Sequence, residues 1–202
     1  MGKAIDKSIR YYAKDRKIWR KWLEKNHLTA DGIWLVYYKK NSGKPRVDYA
    51  DAVEEALCFG WIDSTSNPID EDSYMQVFMP RKVKSGWSAL NKQRIERLIE
   101  QGLMMPAGLQ KIEDAKKDGS WEKLDHIESF IVPPILEQAF KKNKKAAKHF
   151  ETLGKTNKKY LLYYINGVKS EEKKAARLEE IISALNESRM PDRYVVRKPK
   201  KD

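Results

Sequence analysis

Two stretches of the sequence concentrate side chains that could bind a ligand: CFGWIDSTS, at residues 58–66, and PRKVKSGWSALNK, at residues 80–92. Arg81 and Lys82, in the second stretch, follow a predicted strand and precede a predicted helix. The backbone N–H groups at the start of a helix attract anions, and two cations beside them strengthen that preference. The pattern therefore predicts a corner that could hold a carboxylate or a phosphate group.

The other candidate side chains of these stretches are hydrogen-bonding or aromatic. Ser85 or Ser88 can cap the helix that follows. The indoles of Trp61 and Trp87 could form flat walls around a ligand. The polar side chains of Asp63, Ser88 and Asn91 could orient it. The alternative interpretation places the tryptophans in the core, pairs Asp63 with Arg81 or Arg94, and leaves the serines as helix caps only. The sequence does not decide between a ligand site and this structural interpretation.

The usual signatures of catalysis, cofactor binding and metal binding are missing from the sequence. It has no Gly-rich phosphate loop, no His-Glu-x-x-His, no Cys-x-x-Cys and no Gly-x-Ser-x-Gly. The histidines at positions 27, 126 and 149 lack metal-ligand spacing. Cys58 ends an apolar helix without an adjacent His or Lys, so we expect a buried, unreactive thiol. We therefore predict a binding protein without cofactor or metal; the alternative is an unrecognised enzyme that uses Cys58 or Asp63.

The hydrophobic periodicity predicts an α+β fold, with a small antiparallel sheet packed with helices and a helical C-terminal segment. Helices are predicted at residues 15–26, between Asp48 and Gly60, and at residues 88–101 and 107–117. Strands are predicted at residues 33–40, 61–66 and 73–80, and the last two should form an antiparallel hairpin. On the third helix and just before it we expect five buried apolar side chains: Trp87, Leu90, Ile95, Leu98 and Ile99.

The division of the chain follows from its aromatic content and its turn residues. All six tryptophans precede residue 122, and beyond Pro134 only helical periodicity remains. That region predicts three short amphipathic helices and a fourth that begins at Ser170. We predict four parts: an α+β domain at 1–120, a linker at 121–133, a helical domain at 134–190 and a basic tail at 191–202.

The positive charge of the chain is concentrated at its C-terminal end. Of a formal net charge of +12, residues 141–202 contribute 18 Lys and Arg against 8 Asp and Glu. This excess predicts non-specific attraction to nucleic acid, whereas the alternative is a solvated lysine-rich face that keeps the protein soluble. With one cysteine, no apolar stretch of signal-peptide length at the start and no membrane-spanning run, we expect a cytoplasmic protein.

Several blocks of the sequence resemble a known family. They are W-x-x-W-L-x-x-N-H at 19–27, G-I-W-L-V-x-x-x-K at 32–40, Y-x-x-A-V-E-E-A-L-C-F-G-W-I-D at 49–63, P-R-K-x-x-S-x-W-S-x-x-N-K at 80–92 and P-P-x-L at 133–136. On these blocks the chain resembles the YdeI/OmpD-associated family, also called bacteriocin-protection proteins. The resemblance implies protection against bacteriocins or cationic antimicrobial peptides and association with an outer-membrane porin, without an agreed biochemical mechanism.

Overall fold

The structure is a computed structural model, and it describes residues 5–192. The chain divides into two compact units, of which the first ends at Leu124 and the second begins at Asp125. The predicted basic tail at 191–202 lies outside the described residues, apart from its first two positions. Among the described residues, no helix combines the length and the apolar character needed to cross a membrane.

The described part of the first unit is built from four strands and four α-helices, with a short 3₁₀ turn at Lys40–Ser42. In chain order they are β1 (Arg10–Tyr12), α1 (Arg16–Asn26), β2 (Ile33–Tyr38), α2 (Tyr49–Cys58), β3 (Trp61–Pro68), β4 (Ser73–Pro80), α3 (Ala89–Glu100) and α4 (Pro106–Lys117). Each helix and strand predicted for this region is present, with ends that differ by a few residues.

The sheet has the strand order β1-β2-β4-β3. The hairpin of β3 and β4 is antiparallel as predicted, and β4 also pairs with β2 in the antiparallel sense. The strand β1 was not predicted, because three residues are too few to show an alternating pattern. It pairs with β2 in parallel, so the sheet is mixed rather than wholly antiparallel. The predicted α+β class is confirmed.

The helices of the first unit begin where polar side chains can cap them. Asp15 accepts a hydrogen bond from the backbone N–H of Ile18 at 2.8 Å and starts α1. Asp48 precedes α2 as predicted, but its side chain makes no capping hydrogen bond. Gly60 follows α2 with φ +74°, a left-handed conformation that lets the chain turn directly into β3.

The core of the first unit is aromatic, and Trp19, Trp61 and Trp87 are among its fully buried side chains. The prediction that Leu90 and Ile99 are buried was wrong, since they are 56% and 49% exposed. The buried face of α3 is a narrow stripe through Ile95 and Leu98. Leu90 and Ile99 lie on either side of that stripe, because each residue turns the helix by about 100°.

The second unit is helical throughout its described part. Its helices are α5 (Asp125–Glu128), α6 (Pro134–Lys142), α7 (Lys144–Thr152), α8 (Lys155–Asn166) and α9 (Glu171–Asn186). The last four match the predicted helices, and the hydroxyl of Ser170 accepts a hydrogen bond from the backbone N–H of Lys173 at the start of α9. Within the predicted linker, α5 forms one short helix. Trp121, also in that predicted linker, belongs to the first unit, where its ring contacts that of Trp87 at a centroid distance of 5.1 Å.

Candidate functional site

A small pocket in the first unit lies between the loop that follows β4 and one face of α4. The loop lines it from Arg81 to Trp87, and Lys111, Asp114 and Asp118 line it from α4 and the residue beyond. The pocket has a volume of about 20 Å³, which is enough for a water-sized group. The loop lysines are exposed at the surface, so a larger group bound here would extend into solvent. This site is here called the Arg81 pocket.

Arg81 is the most unusual residue of the pocket, because its side chain is charged and only 6% of the residue is exposed. The guanidinium lies over the ring of Trp87, with its central carbon 3.5 Å from the ring centroid. One terminal nitrogen donates a hydrogen bond to the carbonyl of Gly86. The backbone N–H of Arg81 donates to the carbonyl of Gly60 at 2.9 Å, which fixes the end of β4.

The buried guanidinium of Arg81 lacks an acidic partner within the described residues, because none of their ion pairs includes it. Its Nε is buried and has no hydrogen-bond acceptor there. Burial lowers the pKa of Arg81 to about 10, and the negative charge of Asp63 acts in the opposite direction. The guanidinium therefore stays protonated at neutral pH, and a buried cation of this kind favours an anion beside it.

The loop of the Arg81 pocket is held by its own hydrogen bonds. The hydroxyl of Ser85 donates to the carbonyl of Lys82 at 2.7 Å. Lys84 adopts the left-handed conformation with φ +60°, and its carbonyl accepts a hydrogen bond from Lys123 at 2.9 Å. The loop therefore has a defined shape, and Lys82 and Lys84 line the same pocket as Arg81.

The residues that line the pocket carry a net positive charge. Its lining has four cations, Arg81, Lys82, Lys84 and Lys111, and two acids, Asp114 and Asp118. Both acids already accept hydrogen bonds, Asp114 from Gln110 at 2.8 Å and Asp118 from the backbone N–H of Ser120 at 2.9 Å. The hydrogen bonds from Ser120 lower the pKa of Asp118, and the nearby Lys84 lowers it further.

Asp63, Ser88 and Asn91 do not line the Arg81 pocket. The carboxylate of Asp63 accepts hydrogen bonds from the hydroxyl of Tyr49 at 2.8 Å and from the amide of Gln76 at 2.6 Å. The hydroxyl of Ser88 accepts from the backbone N–H of Asn91 at 3.3 Å and caps α3. The side chain of Asn91 accepts from Arg94 at 3.1 Å. Ser88 is a helix cap, as the structural interpretation has it, whereas Asp63 forms no ion pair with Arg81 or Arg94 among the described residues and is bound by Tyr49 and Gln76 instead.

Trp61 lines a different and larger pocket of the same unit, with a volume of about 270 Å³. Its indole N–H donates to the carbonyl of His27 at 3.1 Å, and the residue is 1% exposed. Other lining residues are Leu28, Phe59 and Lys111. This site is here called the Trp61 pocket.

The predicted site residues are thus divided. The structure brings together Arg81, Lys82, Ser85 and Trp87, while Trp61 lies at a separate pocket and Asp63, Ser88 and Asn91 lie at neither. The expected open walls are not formed, because both indoles are packed into the core, where hydrophobic burial outweighs their use as an exposed surface. Trp87 still acts on the site, since its ring supports the guanidinium.

Sequence reasoning missed the residues that α4 contributes. The spacing of Lys111, Asp114 and Asp118 places them on one helix face, and this much can be found in the sequence. Nothing in the sequence indicates that this face meets the loop after β4. The α4 helix also packs closely against the end of α2 and the turn after it, at Gly60 and at Gly108, where an added Cβ would lie 2.3 Å from the carbonyl oxygen of Cys58.

Sequence reasoning also missed a buried ion-pair cluster between α1, α2 and α3. Glu55 is 2% exposed and pairs with Arg16 at 2.5 Å and with Arg20 at 2.7 Å. Its neighbour Glu54 pairs with Arg16 at 3.2 Å and also with Arg97. Adjacent glutamates on a helix usually indicate a solvated face, and here they connect three helices instead.

The thiol of Cys58 is buried beside this cluster. Burial, together with the charge of Glu55, raises the pKa of Cys58 to about 11, while Arg20 acts in the opposite direction. Few thiolate groups exist at neutral pH under these conditions, and the thiolate is the reactive form. Within residues 5–192, His, Cys, Asp and Glu side chains form no group of three or more that could hold a metal ion.

Comparisons with known proteins identify each part of the chain separately. A family model described as "Domain of unknown function (DUF8412)" matches residues 11–111, which is half of the chain. A model described as "Bacteriocin-protection, YdeI or OmpD-Associated" matches residues 129–188. No curated protein and no solved structure matches the chain. The chain therefore belongs to the DUF8412 family, and its residues 129–188 match the YdeI/OmpD-associated model.

Proposed function

We propose that this protein is a non-enzymatic binding protein whose first unit holds a small anionic ligand in the Arg81 pocket. The observation that supports the proposal is the buried Arg81 guanidinium, which has no acidic partner among the described residues and a buried Nε without an acceptor. A carboxylate or phosphate oxygen would supply the missing acceptor and offset the cost of burying the charge.

Each residue of the proposed site has a distinct role. Arg81 donates hydrogen bonds to the anion, and Trp87 holds the guanidinium in place through its ring. Lys82, Lys84 and Lys111 add positive charge around it. Ser85 keeps the loop in shape through its hydrogen bond to Lys82. Asp63 and Trp61 contribute only indirectly, through the charge and the packing near Arg81.

A protective role is a proposal that rests on the family description alone, and we infer that it is exerted by binding rather than by catalysis. In this view, bacteriocin protection depends on a ligand held by the protein. Association with OmpD is a further proposal that rests on the same description alone.

A thermal unfolding titration tests the anion site. We expect sodium phosphate to raise the melting temperature in a saturable way, compared with sodium chloride at the same ionic strength. Because phosphate also stabilises proteins by exclusion from their surface, the saturable part should disappear in Arg81→Met, while a weak, linear increase remains.

A matched pair of lysine variants localises the effect. Lys82→Ser removes a charge from the pocket and should weaken phosphate binding about threefold, the size expected for an exposed charge. Lys117→Ser removes the same charge from an exposed position at the end of α4, outside the pocket, and should leave binding unchanged. The proposal would be contradicted if phosphate raised the melting temperature of the unmodified protein no more than chloride does at the same ionic strength.

A second candidate function is nucleic-acid association by the second unit. Five lysines near the junction of α6 and α7 are exposed, and no ion pair within the described part of the chain involves them: Lys141, Lys142, Lys144, Lys145 and Lys148. Replacing all five with serine should weaken binding to a DNA duplex and lower the slope of log affinity against log salt. If the unmodified protein binds the duplex only at low salt and not at physiological salt, general electrostatic attraction explains the binding and this candidate function fails.

A further inference from the structure

The two pockets of the first unit share one face of α4. Ala107 and Lys111 line the Trp61 pocket, and Lys111, Asp114 and Asp118 line the Arg81 pocket. These positions follow the spacing i, i+4, i+7 and i+11, which forms a single stripe along a helix. The pockets are therefore neighbours along α4, with Lys111 bordering both.

Two residues that are adjacent in the chain line the pockets on the other side. Pro80 lines the Trp61 pocket and the next residue, Arg81, lines the Arg81 pocket. The hydrogen bond from the backbone N–H of Arg81 to the carbonyl of Gly60 holds this strand end beside the turn that leads into β3. Gly60 itself lines the Trp61 pocket, so the same contact fixes the walls of both sites.

The chemistry of the two pockets differs. The Trp61 pocket has a volume of about 270 Å³, close to the smallest pockets that hold organic ligands. Phe59 and Trp61 border it with few exposed atoms, the indole N–H is already used by the carbonyl of His27, and Asp31 and Lys111 add charged groups. Leu28 also lines this pocket, and 82% of its surface is exposed, so it offers an apolar side chain to a ligand.

We propose that one ligand occupies both pockets, an organic anion whose charged group binds at Arg81 and whose apolar body lies in the Trp61 pocket beside Lys111. This inference rests on the proposed function, because it requires the anion site. It adds the class of ligand, which is a phosphate or carboxylate carrying an aliphatic chain or an aromatic ring. Lys111 lies where the charged group and the apolar body would join, and its ammonium group would contact the anion.

A series of alkyl phosphates tests the inference by calorimetric titration of the full chain. Inorganic phosphate measures the anion site alone, and ethyl, butyl and hexyl phosphate extend the apolar body. Each methylene that becomes buried should tighten binding about fourfold, so hexyl phosphate should bind at least tenfold more tightly than inorganic phosphate.

A pair of threonine variants shows where the chain binds. Thr29 is exposed and lines the Trp61 pocket, so Thr29→Phe should fill the pocket without disturbing the core. We expect this variant to bind inorganic phosphate normally and to lose the gain from hexyl phosphate. Thr65→Phe makes the same change at an exposed position of β3 that lines neither pocket, and it should keep the gain.

The outcomes separate the two proposals. If inorganic phosphate does not bind, the anion site itself is wrong. If inorganic phosphate binds but chain length has no effect, the anion site stands and the inference of an apolar body fails. A chain-length gain that Thr29→Phe leaves intact would also overturn the inference, because the chain would then bind elsewhere.

Discussion

Arg81 is held by contacts that orient its guanidinium without neutralising it. The Trp87 ring and the Gly86 carbonyl fix its position, and neither carries a full negative charge. A buried cation that serves only the fold is normally paired with a carboxylate. The arrangement therefore fits a residue that is kept in place for a partner outside the chain.

This account predicts that Arg81→Met changes stability little while it abolishes anion binding. Methionine fills a similar volume against the Trp87 ring, and the change removes an unpaired buried charge together with its desolvation cost. We expect the free energy of unfolding without phosphate to change by less than about 1 kcal/mol. Urea denaturation monitored by tryptophan fluorescence measures it.

Arg16→Met is the matched comparison, because Arg16 pairs with Asp51, Glu54 and Glu55. Its removal leaves a buried carboxylate without one of its cations, so we expect a loss of about 3 kcal/mol. An equally large loss for Arg81→Met would show that Arg81 has a structural role instead.

The buried thiol of Cys58 gives a prediction about alkaline pH. Its pKa is raised to about 11 in the native protein, against 9.0 for an ordinary thiol. Between pH 9 and 11 the unfolded chain loses this proton while the native protein keeps it, so the free energy of unfolding falls as the pH rises. Cys58→Ala should remove about 2 kcal/mol of that decrease. Identical pH dependence of the two proteins from pH 8 to 11 would contradict the prediction.

At the scale of residues, the sequence predicted the charged part of the site better than its walls. The cations of the PRK segment could be found, since a strand end followed by a helix start places them together. The burial of Trp61 and Trp87 could not be decided, because an indole is suited both to a core and to a ligand wall. The missing partner of Arg81 depends on three-dimensional distances that one sequence does not contain.

At the scale of elements, the helices α1, α2 and α3 are joined by the glutamates of α2. We predict that Glu55→Gln lowers the free energy of unfolding by about 3 kcal/mol, because it leaves the partly buried charges of Arg16 and Arg20 without their shared carboxylate. Urea denaturation measures the loss.

The control for this prediction is Glu24→Gln, which breaks another ion pair of Arg20. The side chain of Glu24 is 47% exposed, against 3% for that of Glu55. An exposed pair contributes little, so we expect a loss below about 1 kcal/mol. Equal losses for the two variants would show that the buried ion pairs stabilise the protein no more than an exposed pair does.

The turn between α2 and β3 positions α4 and therefore both pockets. Gly60 and Gly43 both have positive φ, +74° and +68°, so alanine should introduce similar backbone strain at each. An added Cβ at Gly60 would lie 2.7 Å from Cγ of Lys111 and 3.0 Å from the carbonyl oxygen of Ala107, whereas nothing lies within 4 Å at Gly43.

We therefore predict that Gly60→Ala weakens phosphate binding by displacing Lys111 and α4, and that Gly43→Ala lowers stability without changing the affinity. Calorimetry with inorganic phosphate distinguishes the two effects. Unchanged affinity in Gly60→Ala would show that the position of α4 does not control the site.

Helices were easier to predict than strands and packing in this chain. The helices from α1 to α4 and from α6 to α9 have clear periodicity. Four of them begin at or just after a residue that favours a helix start: Asp15, Ser88, Pro106 and Ser170. The strand β1 has only three residues and depends on pairing with β2. The exposure of Leu90 depends on which face of α3 packs inward, and an apolar pattern wider than the buried stripe does not reveal that face.

At the scale of the whole molecule, the two family matches divide the chain in a way that the sequence blocks did not indicate. The blocks that suggested the YdeI/OmpD-associated family lie mostly between residues 19 and 92, whereas that family's model matches residues 129–188. The region with the Arg81 pocket instead matches a family of unknown function. The proposed anion site is therefore a property of the DUF8412 part, and the family label of the helical part does not explain it.

The net charge of +12 means that any anion will be attracted to this protein to some extent. The Arg81 site differs from this background because it should saturate and involve one guanidinium. The direct measurement is the ¹H–¹⁵N signal of the Arg81 side chain at Nε, followed by NMR during titration with inorganic phosphate at constant ionic strength. We predict a saturable shift of this signal that is absent when chloride replaces phosphate. A signal that does not move, or that moves linearly to the same extent as those of other arginines, would contradict the account.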